Sequence, residues 1–310
     1  MFTGLGPAAA AAALMLAGCA SEPAREGQAV GSTQSSALPG GRMETEAMAF
    51  ESFMRRARGI DPGFSSASEV SQALQVGASH EPSQLEAGMV AYAAMAALQE
   101  PGFVAAVRRE GKSGDLARRL SADPGAALQL PGAAAAAGRA SAALARQGEG
   151  LAANGQRVKH AAYSVQHQAW SKSAVADPRG RLAQIKRISA TTYRPEPGDA
   201  ARLREAVAED ARRGGGSSSP VVARGVALAA LSVLGEEGRG RALMSDPGSA
   251  SCLRLAKLNL YQCLASAGPQ YEDIFCLGQH AMIDPGQCVA QAAHAPAPRR
   301  ASITRASWRP

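Results

Sequence analysis

Aromatic side chains are scarce in this chain of 310 residues: Phe, Trp and Tyr together make up 4% of it. A core without large rings has to be filled by close approach of small residues, and alanine is abundant. Strand-like runs of Val, Ile, Thr and aromatics are missing, which excludes a sheet-based domain and leaves an all-α class. No apolar stretch reaches the roughly 20 residues needed to cross a bilayer as a helix. Motifs that carry chemistry are missing as well. There is no Gly-x-Ser-x-Gly, no phosphate loop, no His-Glu-x-x-His, no Cys-x-x-Cys and no Cys-x-x-Cys-His. The usual sequence grounds for a hydrolase, a nucleotide-binding protein, a zinc protease or a haem protein are therefore absent, and no cofactor or metal is expected.

What is present is helical periodicity. Met43, Ala47, Phe50, Met54 and Ala57 step by three and four, which is one face of a helix, and Gly59 with Asp61-Pro62-Gly63 stops it. Ser66 with Glu69, and Ser83 with Glu86, have capping-box spacing and predict two helix starts. The second opens an apolar helix over 85–98 that Glu100-Pro101 ends or kinks. Short helices follow over 101–109 and 115–120. From 133 to 170, Leu144, Leu151, Val158 and Val165 recur every seven residues, with Ala140, Gln147, Asn154 and Ala161 between them. The pattern predicts one long helix or two nearly collinear ones. Gly148, Gly150 and Gly155 weaken it, at about 1 kcal/mol each against alanine, but permit a neighbouring backbone to come close. Asp177-Pro178 starts a further helix, 193–197 reads as a loop, and 198–213 reads as a charged helix. Gly-Gly-Gly-Ser-Ser-Ser at 214–219 reads as a linker, and the nearly all-apolar segment 220–234 as a buried core helix.

The N-terminus carries an address. Residues 8–16 are apolar and end in Leu16-Ala17-Gly18-Cys19, although nothing from Met1 to Gly18 is charged. A short apolar region ending in small residues reads as a removable secretory signal. The four-residue motif resembles the lipobox of bacterial lipoproteins. That resemblance implies cleavage before Cys19 and acylation of that cysteine. With Ala20 next, it also implies an outer-membrane destination. The expected organisation is a signal peptide over 1–18, a disordered tether over 19–42 and a helical body over 43–213. The linker at 214–219 then leads to a helical subdomain over 220–292 and a disordered basic tail over 293–310. Net charge is +7 with pI near 9.5. In an exported chain this points away from nucleic acid and toward anionic envelope polymers or other envelope proteins, or to no more than solvated helix faces.

Four cysteines remain: Cys252, Cys263, Cys276 and Cys288. An even number in an oxidising compartment implies disulfides. Cys252 and Cys263 lie close to three helical turns apart and share a face. Gly268-Pro269 between the inner pair reverses the chain, which favours nested pairing of Cys263 with Cys276 and Cys252 with Cys288. The arrangement is similar to twin-cysteine helical hairpins, though with wider spacing. Asp284-Pro285 interrupts the second arm and would rotate Cys288 off the shared face, so the outer pair depends on how that arm continues. The hairpin is expected to form a rigid end beside an Ala-rich body. Cys276 and His280 also have a spacing usable for a metal, but no Cys-x-x-Cys accompanies them.

One catalytic candidate stands out. Glu51-Ser52 resembles the Glu-Ser pair of lytic transglycosylases, in which the Glu is general acid and base on a glycosidic bond. The likeness stops at two residues, and a solvated helix-face Glu51 is the competing reading. The expectation is an irregular multi-helix bundle with one long heptad-patterned helix and a disulfide-linked C-terminal hairpin. Its expected role is that of a non-enzymatic envelope lipoprotein: a scaffold or interaction module anchored to the membrane at Cys19. The alternatives are a glycan hydrolase using Glu51 and a binder of anionic envelope polymers through the basic tail.

Overall fold

The apolar periodicities become helices that wrap one central helix. In the computed structural model, residues 41–212 and 218–294 are described. Cys19, the signal and tether up to residue 40, most of the linker and the tail from 295 lie outside them. The order is α1 (Arg42–Arg58), α2 (Ala67–Ala78), α3 (Pro82–Ala97), α4 (Pro101–Glu110), α5 (Leu116–Ala122) and α6 (Ala133–Val165). After these come α7 (Ala169–Lys172), α8 (Pro178–Ser189), α9 (Asp199–Asp210), α10 (Pro220–Val233), α11 (Pro247–Ser266), α12 (Gln270–Cys276) and α13 (Asp284–Ala293). No strand occurs among the described residues, and no single described helix is long and apolar enough to cross a membrane.

α3 is the centre. Met89, Val90, Ala91, Tyr92, Ala93, Ala94, Ala96 and Ala97 are all buried, so the helix is covered all round by α1, α6 and α10. Small residues set the spacing. A Cβ on Gly88 would lie 2.5 Å from the Glu46 carbonyl of α1, and one on Gly225 of α10 would lie 2.7 Å from Ala93 Cβ. Helices on both sides of the Gly/Ser linker contribute to one continuous hydrophobic core, so the linker joins two parts of one body and does not separate two.

The heptad stretch is a single helix of 33 residues, ending at Val165 and not at Trp170. Its polar seam positions are explained by what they bond. Gln147 Nε2 donates to Asp210 Oδ2 at 2.6 Å and to the Tyr92 hydroxyl at 3.2 Å. Asn154 Nδ2 donates to the carbonyls of Arg58 and Ile60, each at 3.0 Å, satisfying acceptors at the end of α1 that the helix itself leaves open. Its glycines do not break it. Gly148 and Gly155 let the C-terminal arm lie directly on its backbone: a Cβ on Gly148 would stand 2.4 Å from Ala290 N, and one on Gly278 would stand 2.4 Å from Lys159 N.

Both bridges have the nested pairing, Cys263–Cys276 with Cα atoms 5.6 Å apart and Cys252–Cys288 with Cα atoms 5.8 Å apart. The second arm does not break at Asp284-Pro285. It continues from α12 through a π-helical stretch, Leu277–Ile283, into α13. The π stretch solves a geometric problem. Eleven residues in α11 span about 3.1 α-turns, but the twelve from Cys276 to Cys288 would span about 3.3 and leave Cys288 a third of a turn off the face. The wider i→i+5 turn uses fewer degrees per residue and takes back that excess. Nor is the hairpin an appendage beside the body. α13 and the π stretch pack along α6, and Ser141 Oγ of α6 donates to Ala293 O at 2.9 Å.

One predicted cap differs. Ser66 caps α2, with Glu69 taking the Ser65 N–H at 2.7 Å. Ser83 caps nothing, because Glu81 caps α3 through Gln84 N at 2.8 Å with Pro82 in the first turn. Glu86 is buried and instead accepts from Ser245 Oγ at 3.0 Å and from the Asp246 N–H, holding the start of α11 against α3.

Candidate functional site

A highly charged concavity sits where α1, the loop after α8 and the start of α9 meet. α1 supplies Ser52, Arg55 and Arg56. The loop supplies Thr191, Thr192, Tyr193, Arg194 and Glu196, and α9 supplies Asp199 and Arg202. Together they enclose about 800 Å³. The loop is shaped by its own chemistry: Pro195 and Pro197 hold it extended, and Gly198 turns into α9 at φ 89°.

Asp199 organises the floor. It is buried, its Oδ2 accepts from the Tyr193 hydroxyl and, at 2.9 Å, from Glu196 N–H, and its Oδ1 takes Arg202 Nη2 at 2.5 Å. Burial pushes its pKa up, but the hydrogen bonds from Tyr193, Glu196 and Arg202 outweigh that and hold it below the ordinary carboxylate value. The Tyr193 phenol is pushed up, first by burial and then by its bond to Asp199, so it stays protonated. Arg55 is clamped between two carboxylates, with Nε 2.9 Å from Glu51 Oε1 and Nη2 3.9 Å from Asp199 Oδ1. Arg56 Nε donates to Ser52 O at 3.2 Å. Arg56 and Arg194 are exposed and form no ion pair among the described residues.

Glu51 is not the solvated helix-face residue of one expectation. It is 3% exposed, lies beneath Arg55 and does not line the cleft. A general acid has to reach the leaving oxygen, and Glu51 is spent on positioning a guanidinium. The cleft therefore presents four guanidinium groups against Asp199, Glu196 and the underlying Glu51. Planar guanidinium forks match carboxylate, phosphate and sulfate oxygens in pairs, and Arg56 and Arg194 are the two that no carboxylate among the described residues already neutralises.

Elsewhere, Cys276 is committed to its disulfide, and His280 Nδ1 lies 2.7 Å from Asp284 Oδ2, so their four-residue spacing is not a ligand pair. His160 and His167 do not converge: His160 stacks loosely on Tyr163 at 6.5 Å, and His167 follows the end of α6. The cleft itself escaped the sequence because its residues come from segments some 140 positions apart and share no period. The one available signal was the Tyr193-to-Pro197 loop. No protein-family model, curated protein or solved structure matches this chain.

Proposed function

We propose that this chain is a cell-envelope lipoprotein, anchored through Cys19 and facing the periplasm, whose helical domain is a non-enzymatic interaction module for an anionic envelope polymer. The observation that supports the ligand class is the arginine-lined cleft, with Arg56 and Arg194 carrying spare guanidinium donors. The lipobox resemblance at residues 16–19 supports the anchor. This reading moves ligand recognition from the basic tail to the folded domain, with the tail adding only general attraction.

Two measurements test it. Cys19→Ser should move the protein from the membrane fraction to the soluble fraction with an unchanged circular dichroism spectrum. Co-sedimentation with purified peptidoglycan and with lipopolysaccharide should show binding that weakens with salt and drops at least tenfold in Arg56→Gln/Arg194→Gln. Loss on deleting 295–310 with no loss in the double arginine variant would return the binding to the tail.

A further inference from the structure

A second, chemically different cavity of about 370 Å³ opens between the start of α3, the end of α8 and α11. Pro82, Ala250, Leu258 and Tyr261 give it apolar walls, and Lys257 and Ser189 line it too. Lys257 is 4% exposed. Its Nζ is 3.0 Å from Ala78 O, 3.3 Å from Ser189 Oγ and 3.4 Å from His80 Nδ1. None of these partners carries a negative charge, and no carboxylate among the described residues stands within ion-pair distance. The two carboxylates that line the cavity are engaged elsewhere, Glu81 in capping α3 and Glu86 in holding Ser245 and Asp246. Arg254 is the other cation on the wall.

We propose that Lys257 is a carbonyl-reactive amine, presented by this apolar cavity to an aldehyde or ketone on a largely apolar molecule. The amine nitrogen attacks the carbonyl carbon and forms a C–N bond, while one N–H proton passes to the oxygen to give a carbinolamine. The C–O bond then breaks and the oxygen leaves as water with the second N–H proton, leaving a neutral imine. Attack requires the unprotonated amine. Burial pushes Lys257 down to about 7, with Glu81 only partly opposing. An ordinary lysine, titrating near 10.4, is neutral to only about one part in a few thousand at pH 7. His80 stays uncharged beside it, because burial and then Lys257 lower its pKa. Its Nε2 is buried without a partner, next to a void of about 10 Å³ that Glu81 and Gln84 also line. That is room for about one water beside the imidazole.

The chain has five lysines, so the test has internal controls. Full-length protein is treated with hexanal and sodium cyanoborohydride at pH 7, digested, and the alkylated lysines are mapped by mass. Lys257 should carry at least tenfold more label than exposed Lys112, Lys172 and Lys186. Its labelling should fall as pH drops below 6, and fall at least fivefold in Ala190→Leu, which narrows the cavity without touching the amine. Label confined to the exposed lysines, or reaching Lys257 only after denaturation, would overturn the proposal. So would unchanged Lys257 labelling in Ala190→Leu.

Discussion

Alanine at Gly148 and alanine at Gly150 add the same methyl group two residues apart on one helix, and they should move stability in opposite directions. In both cases the helix itself gains about 1 kcal/mol, because glycine is the poorer helix former. At Gly150 the new Cβ meets only the Arg58 side chain, 3.2 Å from Cδ, and that chain can swing aside. Gly150→Ala should therefore be about 0.5–1 kcal/mol more stable than the parent. At Gly148 the Cβ would stand 2.4 Å from Ala290 N, 2.6 Å from Gly286 O and 2.9 Å from Ala290 Cα. All three atoms are backbone of α13, and the Cys252–Cys288 bridge ties that helix to α11. Overpacking of this kind costs about 1–3 kcal/mol and here falls at the upper end, since no side chain can yield. The net change for Gly148→Ala is a loss of about 1–2 kcal/mol, which puts the pair about 1.5–3 kcal/mol apart. At about 2–4 °C per kcal/mol for a body of this size, their melting temperatures should differ by about 3–12 °C. Urea titrations and thermal scans followed by circular dichroism would both read it. A Gly148→Ala protein as stable as Gly150→Ala would refute the close backbone contact between α6 and α13.

Other outcomes follow from single contacts. Asn154→Leu should cost about 1–3 kcal/mol in urea titrations, because the carbonyls of Arg58 and Ile60 lose their donor in the interior. Loop-closure entropy makes the outer bridge, closing 36 residues, worth about 4 kcal/mol, and the inner one, closing 13, about 3 kcal/mol; paired Cys→Ser variants should rank in that order. Lys257 titrates near 7 in the folded chain and near 10.5 when unfolded. Between those values the unfolded chain holds more protons, so stability should rise with pH by up to about 1.4 kcal/mol per unit from pH 7 to pH 10. Lys257→Met should flatten that part of the curve in urea titrations at stepped pH.

The helices were legible because their apolar faces repeat at helical period, as in Met43 to Ala57 and Leu144 to Val165. The disulfide pairing was legible because the even cysteine count, the spacing and the Gly268-Pro269 turn agree. Less visible was anything decided by contact at a distance. Ser83 and Glu86 have a capping spacing, but Glu81 stands closer to the actual start of α3, and the Glu86 carboxylate goes to the turn before α11. The three glycines of α6 look alike in the sequence, yet Gly148 faces another backbone, Gly155 faces the Met282 and Ile283 side chains beside the Gly278 carbonyl, and Gly150 faces one flexible side chain. A π stretch has no local composition of its own. Its trace is a spacing of twelve where eleven would suit an unbroken α-helix. The arginine cleft and the Lys257 cavity are assembled from residues with no sequence neighbourhood, and only the fold brings them together.

The cysteine spacing also dictates an order of events. Once α11 is helical, Cys252 and Cys263 lie about 16 Å apart along its axis, and Cys276 and Cys288 are separated by a similar rise. A disulfide needs Cα atoms within about 7 Å, so each helix by itself forbids pairing between sequence neighbours. An extended chain offers no such protection, and there the short loops between neighbouring cysteines close most readily. Bridges formed in that state would lock out both helices. A chain oxidised faster than it coils should therefore accumulate Cys252–Cys263 and Cys276–Cys288 species that must be reshuffled. A chain that coils first meets its oxidant with only cross-hairpin partners in reach.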